Sequence, residues 1–96
     1  MGNSTFTVTA KMVKFQYDFQ VHGHEKIDGK ATITIGGEPD ENRINEKVED
    51  YIRGIISEFV VSEKISTDGG IRISLNVTVT DIIPLKTDIT MTPRRN

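Results

Sequence analysis

The chain has 96 residues, no cysteine, two histidines and 14 acidic against 12 basic side chains, a net charge of −2, and this length leaves no room for a second core. The missing thiol excludes disulfide staples, thiolate nucleophiles and cysteine-type zinc sites. No apolar run approaches the roughly 20 residues of a membrane span, and the N-terminus carries no apolar signal core, so a soluble cytoplasmic protein is expected.

Residues 5–22, TFTVTAKMVKFQYDFQVH, alternate apolar and polar side chains with period two, the pattern of a strand with one buried face. The phase flips midway. Phe6, Val8, Ala10 and Met12 share one parity, and Val13, Phe15, Tyr17, Phe19 and Val21 take the other. The adjacent pair Met12-Val13 predicts a β-bulge or a sharp bend, because one extra residue returns the apolar set to the buried face. One long bent strand or two short ones satisfy this pattern. In GHEKIDGK, residues 23–30, Asp28-Gly29 is the expected breaker of a turn. Ala31, Ile33 and Ile35 then alternate with Thr32 and Thr34, a second strand that closes an antiparallel hairpin.

After Gly36-Gly37 the period changes to 3.6. Ile44, Val48, Tyr51, Ile52, Ile55, Ile56, Phe59 and Val60 recur on one face of an amphipathic helix. Pro39 suits its first turn, and Glu38, Asp40 and Glu41 complement the positive end of its dipole. TDGG closes the following linker. Ile71, Ile73, Leu75, Val77 and Val79 alternate with Arg72, Ser74, Asn76, Thr78 and Thr80 in a further strand. DIIP, residues 81–84, is expected to break it, and LKTDITMT to form a last strand with Leu85, Ile89 and Met91 inward. The order β-β-α-β-β predicts a single α+β domain over residues 1–96, with flexible ends at about 1–4 and 93–96. Its expected core is a mostly antiparallel four-stranded sheet with one amphipathic helix packed on one face.

One helix covers such a sheet incompletely. Four strands about 4.8 Å apart span roughly 15–20 Å, whereas a helix is about 10–12 Å across. The surplus apolar side chains predict a homodimer. Gly54, a costly residue in mid-helix, makes with Ser57 a small-residue patch that a second backbone could approach.

Gly36-Gly37 before a helix could suggest a phosphate cradle, but Glu38, Asp40 and Glu41 occupy the end where the anion would bind. His22 and His24 share a strand parity without an identifiable third ligand, so a solvated turn is expected and neither metal nor cofactor is called for. There is no G-x-S-x-G and no cysteine beside a placed histidine, and a non-enzymatic protein is expected. The polar sheet parity includes Thr7, Thr9, Lys11, Lys14, Gln16 and Arg72 but no stacking aromatic. A nucleic-acid-binding module carried by Lys11, Lys14, Arg72 and the Arg94-Arg95 tail is one alternative function, and a structural dimeric subunit is another.

The remaining candidate is EPDENRINEKVED, residues 38–50, where Glu38, Asp40, Glu41, Glu46, Glu49 and Asp50 face only Arg43 and Lys47. Residues 38–63 sum to −5, from eight acids against three bases, while the segments before and after sum to +1 and +2. Taken as helical, these thirteen residues rise about 20 Å, so six carboxylates give one charge per roughly 3.3 Å. A DNA strand carries one charge per about 3.4 Å. Glu49 and Arg53 form a routine i,i+4 pair, and an ordinary solvated helix face competes with the mimicry reading.

On this acidic segment, with its small size and cysteine-free α+β organisation, the chain resembles the early host-takeover proteins of lytic bacteriophages. Among them it is similar to acidic DNA-mimic inhibitors of the bacterial histone-like protein HU. The resemblance implies a non-enzymatic inhibitor, acting in the host bacterial cytoplasm, whose acidic side chains occlude the DNA-binding site of a basic host protein. It implies no direct contact with nucleic acid or membrane.

Overall fold

The computed structural model describes residues 4–66 and 68–93, so most of the ends expected to be flexible lie outside the described residues. Four elements follow in order: β1 (Ser4–Val21), β2 (Ile27–Gly36), α1 (Glu41–Ser62) and β3 (Ile73–Met91). They build a three-stranded antiparallel sheet of order β2-β1-β3 with one helix, and no described helix is long and apolar enough to cross a membrane.

The four-stranded β-β-α-β-β expectation is therefore corrected to a three-stranded sheet in β-β-α-β order. The difference lies at DIIP. β3 runs unbroken through it for 19 residues, its first half pairing with the second half of β1 and its second half with the first. Pro84 can sit there because β3 is an edge strand, where a missing N–H need not break a ladder. DIIP also lacks the glycine or asparagine that a tight reversal requires.

β1 forms one strand of 18 residues, and its register with β2 passes through Met12-Val13 without a slip. The expected bulge at that pair is absent. The irregularity sits instead between Lys14 and Phe15, where Lys14 faces Asp81 and Phe15 faces Val79, leaving Thr80 of β3 as the extra residue. The Thr80 hydroxyl donates to the Lys14 carbonyl at 3.2 Å, which ties the displaced residue down. Without a bulge in β1 the phase flip is never repaired. Met12 is opposite Ile83 and Val13 is opposite Ile82, so both strands move their apolar side chains to the other sheet face at one cross-strand position.

The turn between β1 and β2 also differs from expectation. It is made at residues 22–24, with Gly23 at φ +86°, whereas Asp28-Gly29 lies inside β2. Gly29 is opposite Tyr17, whose ring lies over it where a Cβ would otherwise stand. The glycine makes room for the aromatic ring.

The helix packs on the face that carries Val13, Phe15 and Ile35, through Ile44, Val48 and Ile52. Each of these side chains is nearly inaccessible, and burying one contributes about 1.5–3 kcal/mol. Tyr51 meets Phe15 edge-on at 5.5 Å and Phe59 meets Phe19 edge-on at 5.6 Å, geometries that suit the charge distribution of aromatic rings. Pro39 precedes the helix rather than entering its first turn. Asp40 is the N-cap, its carboxylate accepting from the Arg43 N–H at 2.8 Å. Lys11, on the helix face of β1, reaches up to donate to the Pro39 carbonyl at 3.0 Å and so anchors the helix entry to the sheet.

Candidate functional site

Of the six carboxylates singled out in residues 38–50, only four lie on the helix. Glu38 and Asp40 precede it, and Glu41, Glu46, Glu49 and Asp50 occupy ten helical residues. These rise about 15 Å, one carboxylate per roughly 3.8 Å, and Arg43 and Lys47 among them bring the net to −2. The density falls below the thirteen-residue figure because the chain turns into the helix only at Glu41.

All six side chains are exposed, but they are not equivalent. Asp40 serves the fold as the cap. Glu46 pairs with Arg43 at 3.1 Å, one turn away. Arg53 reaches Glu49 at 3.7 Å and Asp50 at 3.6 Å. These are solvated intrahelical pairs of low energetic weight. Glu38 and Glu41 take part in no ion pair among the described residues.

The buried positions Ile44, Val48 and Ile52 orient the rest. Lys47 and Arg43 lean toward β2, where they line a depression with Tyr51, Ile33 and Ile35. Glu49 and Arg53 lean toward β3. There, with Val48, Ile52 and Ile56, they border a groove of about 570 Å³ whose floor is Leu75, Val77 and Val79. Glu46 and Asp50 lie between these flanks on the outward side. The helix therefore separates a basic margin over β2 from an acidic crest.

The polar sheet parity read from the sequence does not form one surface. Lys14, Gln16, Thr32 and Thr34 lie on the face away from the helix, but Thr7, Thr9 and Lys11 belong to the helix face. On the open face Asp18, Asp28 and Asp81 are interspersed with Lys14 and Lys30, and Asp18 accepts from Asn76 at 3.0 Å. Arg94 and Arg95 lie outside the described residues. His24 packs edge-on against Phe59 at 6.2 Å, and its carbonyl accepts from Gln20. Among the described residues no three metal-ligating side chains converge. Gly54 stands in open space, with nothing within 4 Å of where a Cβ would be.

Burial against the sheet, and secondarily the neighbouring Tyr51, raise the Tyr17 hydroxyl above the ordinary tyrosine pKa. Its place over Gly29 marks it as structural.

Sequence reasoning missed the groove and the apolar ribbon at the far end of the sheet. The signal was present in two doublets, Met12-Val13 and Ile82-Ile83, which prove to be cross-strand partners. Compared with known protein families, curated proteins and solved structures, the chain finds no match.

Proposed function

We propose that the chain is a non-enzymatic binding protein whose acidic helix crest stands in for DNA and occludes the DNA-binding site of a basic nucleic-acid-binding protein of the HU kind. The observation that carries this reading is the exposure of all six carboxylates, of which the fold itself uses only Asp40. Glu41, Glu46, Glu49 and Asp50 are held on one helix above a buried apolar stripe, with Glu38 and Asp40 just ahead of it, so the backbone that presents them loses little conformational freedom on binding. Counting Arg43 and Lys47, residues 38–50 carry −4. This charge is enough to speed encounter with a cationic groove and to make the encounter sensitive to salt.

Direct nucleic-acid binding is less well supported. The open sheet face mixes acids with bases, Phe15 and Phe19 lie beneath the helix, and Phe6, exposed on that face, has no aromatic neighbour among the described residues to make a stacking platform. A competition gel shift separates the two. Under the mimic reading the chain displaces a labelled duplex from an HU-type protein and leaves the free duplex unshifted. A tight, salt-sensitive shift of the duplex by the chain alone would refute the reading, because like charges repel.

A further inference from the structure

The chain exposes 7374 Å², whereas a compact monomer of 10.7 kDa exposes about 5,500 Å². Its radius of gyration is 19.4 Å and its longest extent 64 Å, against about 12–13 Å for the radius of a compact domain of this length. The excess surface, roughly 1,900 Å² per chain, is comparable to what each chain gives up in an obligate dimer, whose interfaces total about 2,000–5,000 Å².

Two exposed apolar surfaces contribute to this excess. The first is the groove between α1 and β3. The helix covers β1 and leaves Ile73, Leu75, Val77 and Val79 with 37–45 % of their surface exposed. Among the described residues the β3 edge beside them has no strand partner, a liability that proteins ordinarily cover. The second surface is on the opposite face at the other end of the sheet. β2 stops at Gly36, opposite Ala10, and beyond one further bond from the Gly37 N–H to the Thr9 carbonyl, residues 4–9 pair with 86–91 alone and project as a two-stranded ribbon. Phe6, Val8 and Met91 on its apolar face are 41–55 % exposed.

We infer that a second copy of this chain covers both surfaces at once, the ribbon of each protomer lying in the α1–β3 groove of the other. The dimensions agree. The ribbon, six residues per strand, is about 20 Å long, and the groove floor from Ile73 to Val79 is about 23 Å long. The phase flip places the two apolar surfaces on opposite sheet faces, so under a two-fold axis roughly perpendicular to the sheets each ribbon's apolar face is directed toward the partner's floor, as a self-complementary pair requires. Joining β3 edge to edge would extend the sheet but leave the ribbons bare and a channel between the two helices. The inference stands independently of what the acidic crest binds.

The absence of native cysteine permits a direct test. Sedimentation equilibrium at micromolar chain concentration is expected to give twice the monomer mass. The double variant Val77→Cys/Ile89→Cys is expected to yield a covalent dimer on mild oxidation, reversed by reductant. Each single variant, verified as folded by circular dichroism, is expected to remain non-covalent. A monomer at those concentrations would overturn the inference. So would a Val77→Cys single variant that cross-links to itself, because that result would place β3 against β3.

Discussion

Gly29→Ala is expected to destabilise the protein in the native background and to stabilise it once Tyr17 is removed. Glycine within a strand costs about 0.5–1 kcal/mol relative to alanine, so the substitution alone should help. Here the added methyl would enter the Tyr17 ring. The ring cannot move freely, because it is stacked on Phe19 at 6.5 Å and 15° and flanked by Phe15 at 6.3 Å. Overpacking of this kind costs about 1–3 kcal/mol. The net loss is about 0.5–2 kcal/mol in the native background, against a gain of about 0.5–1 kcal/mol in Tyr17→Ala, giving a coupling energy near 1–3 kcal/mol. With a urea dependence near 1 kcal/mol per molar, the midpoint should fall by about 0.5–2 M in the first case and rise by about 0.5–1 M in the second. Urea melts of the four proteins of the cycle, all at one chain concentration, measure it. Equal shifts in both backgrounds would show that Tyr17 does not occupy the space above Gly29.

Other perturbations give separate readings. Phe15→Ala removes a ring packed against Tyr51 and should cost about 3–5 kcal/mol in chemical denaturation, a large share of a small domain's stability. Asp40→Ala deletes the helix cap and should cost about 1 kcal/mol, seen as a lower melting temperature and fraying of the first turn in amide exchange. Tyr17 has a folded pKa above its unfolded value, so its stabilisation is complete below the ordinary tyrosine pKa and is lost as pH rises through the folded value. Phenolate absorbance of Tyr51→Phe, in which Tyr17 is the remaining tyrosine, should titrate later than the same chain in denaturant. Arg53→Ala releases Glu49 and Asp50 from their shared cation. It should change stability by less than about 1 kcal/mol and tighten binding to a cationic partner in a titration.

The helix was legible because it has one period and one buried stripe, and the pairing of β1 with β2 because both alternate with period two. Ile44, Val48 and Ile52 are buried as their spacing required. The sheet was misread where a local signal had two physical solutions. Adjacent apolar residues at Met12-Val13 fit a bulge, but they also fit a strand whose two halves face different layers, and only the pairing with Ile82 and Ile83 decides between them. Pro84 fits a strand break or an edge, and strand order is not local information. Asp28-Gly29 fits a turn or a glycine beneath a cross-strand ring. At the candidate site the carboxylates were legible as a cluster. Their pairing with Arg43 and Arg53, and the helix start at Glu41, depend on local geometry that charge counting misses.

The central claim is that the acidic crest drives association, and its most direct test is the affinity of Glu46→Lys/Asp50→Lys for an HU-type protein. These two side chains lie on the outward side, so Ile44, Val48 and Ile52 stay in place and Glu49 at the groove is untouched. The pairs lost are exposed and worth about 0.2–1 kcal/mol each, and the variant should fold normally by circular dichroism. The account predicts a loss of affinity of at least tenfold by titration calorimetry. It also predicts that wild-type affinity weakens as salt rises from about 50 to about 300 mM, over which the screening length falls from roughly 14 to 6 Å. A folded double variant that binds with unchanged affinity would contradict it, leaving the crest of α1 as a solvated helix face with no part in recognition.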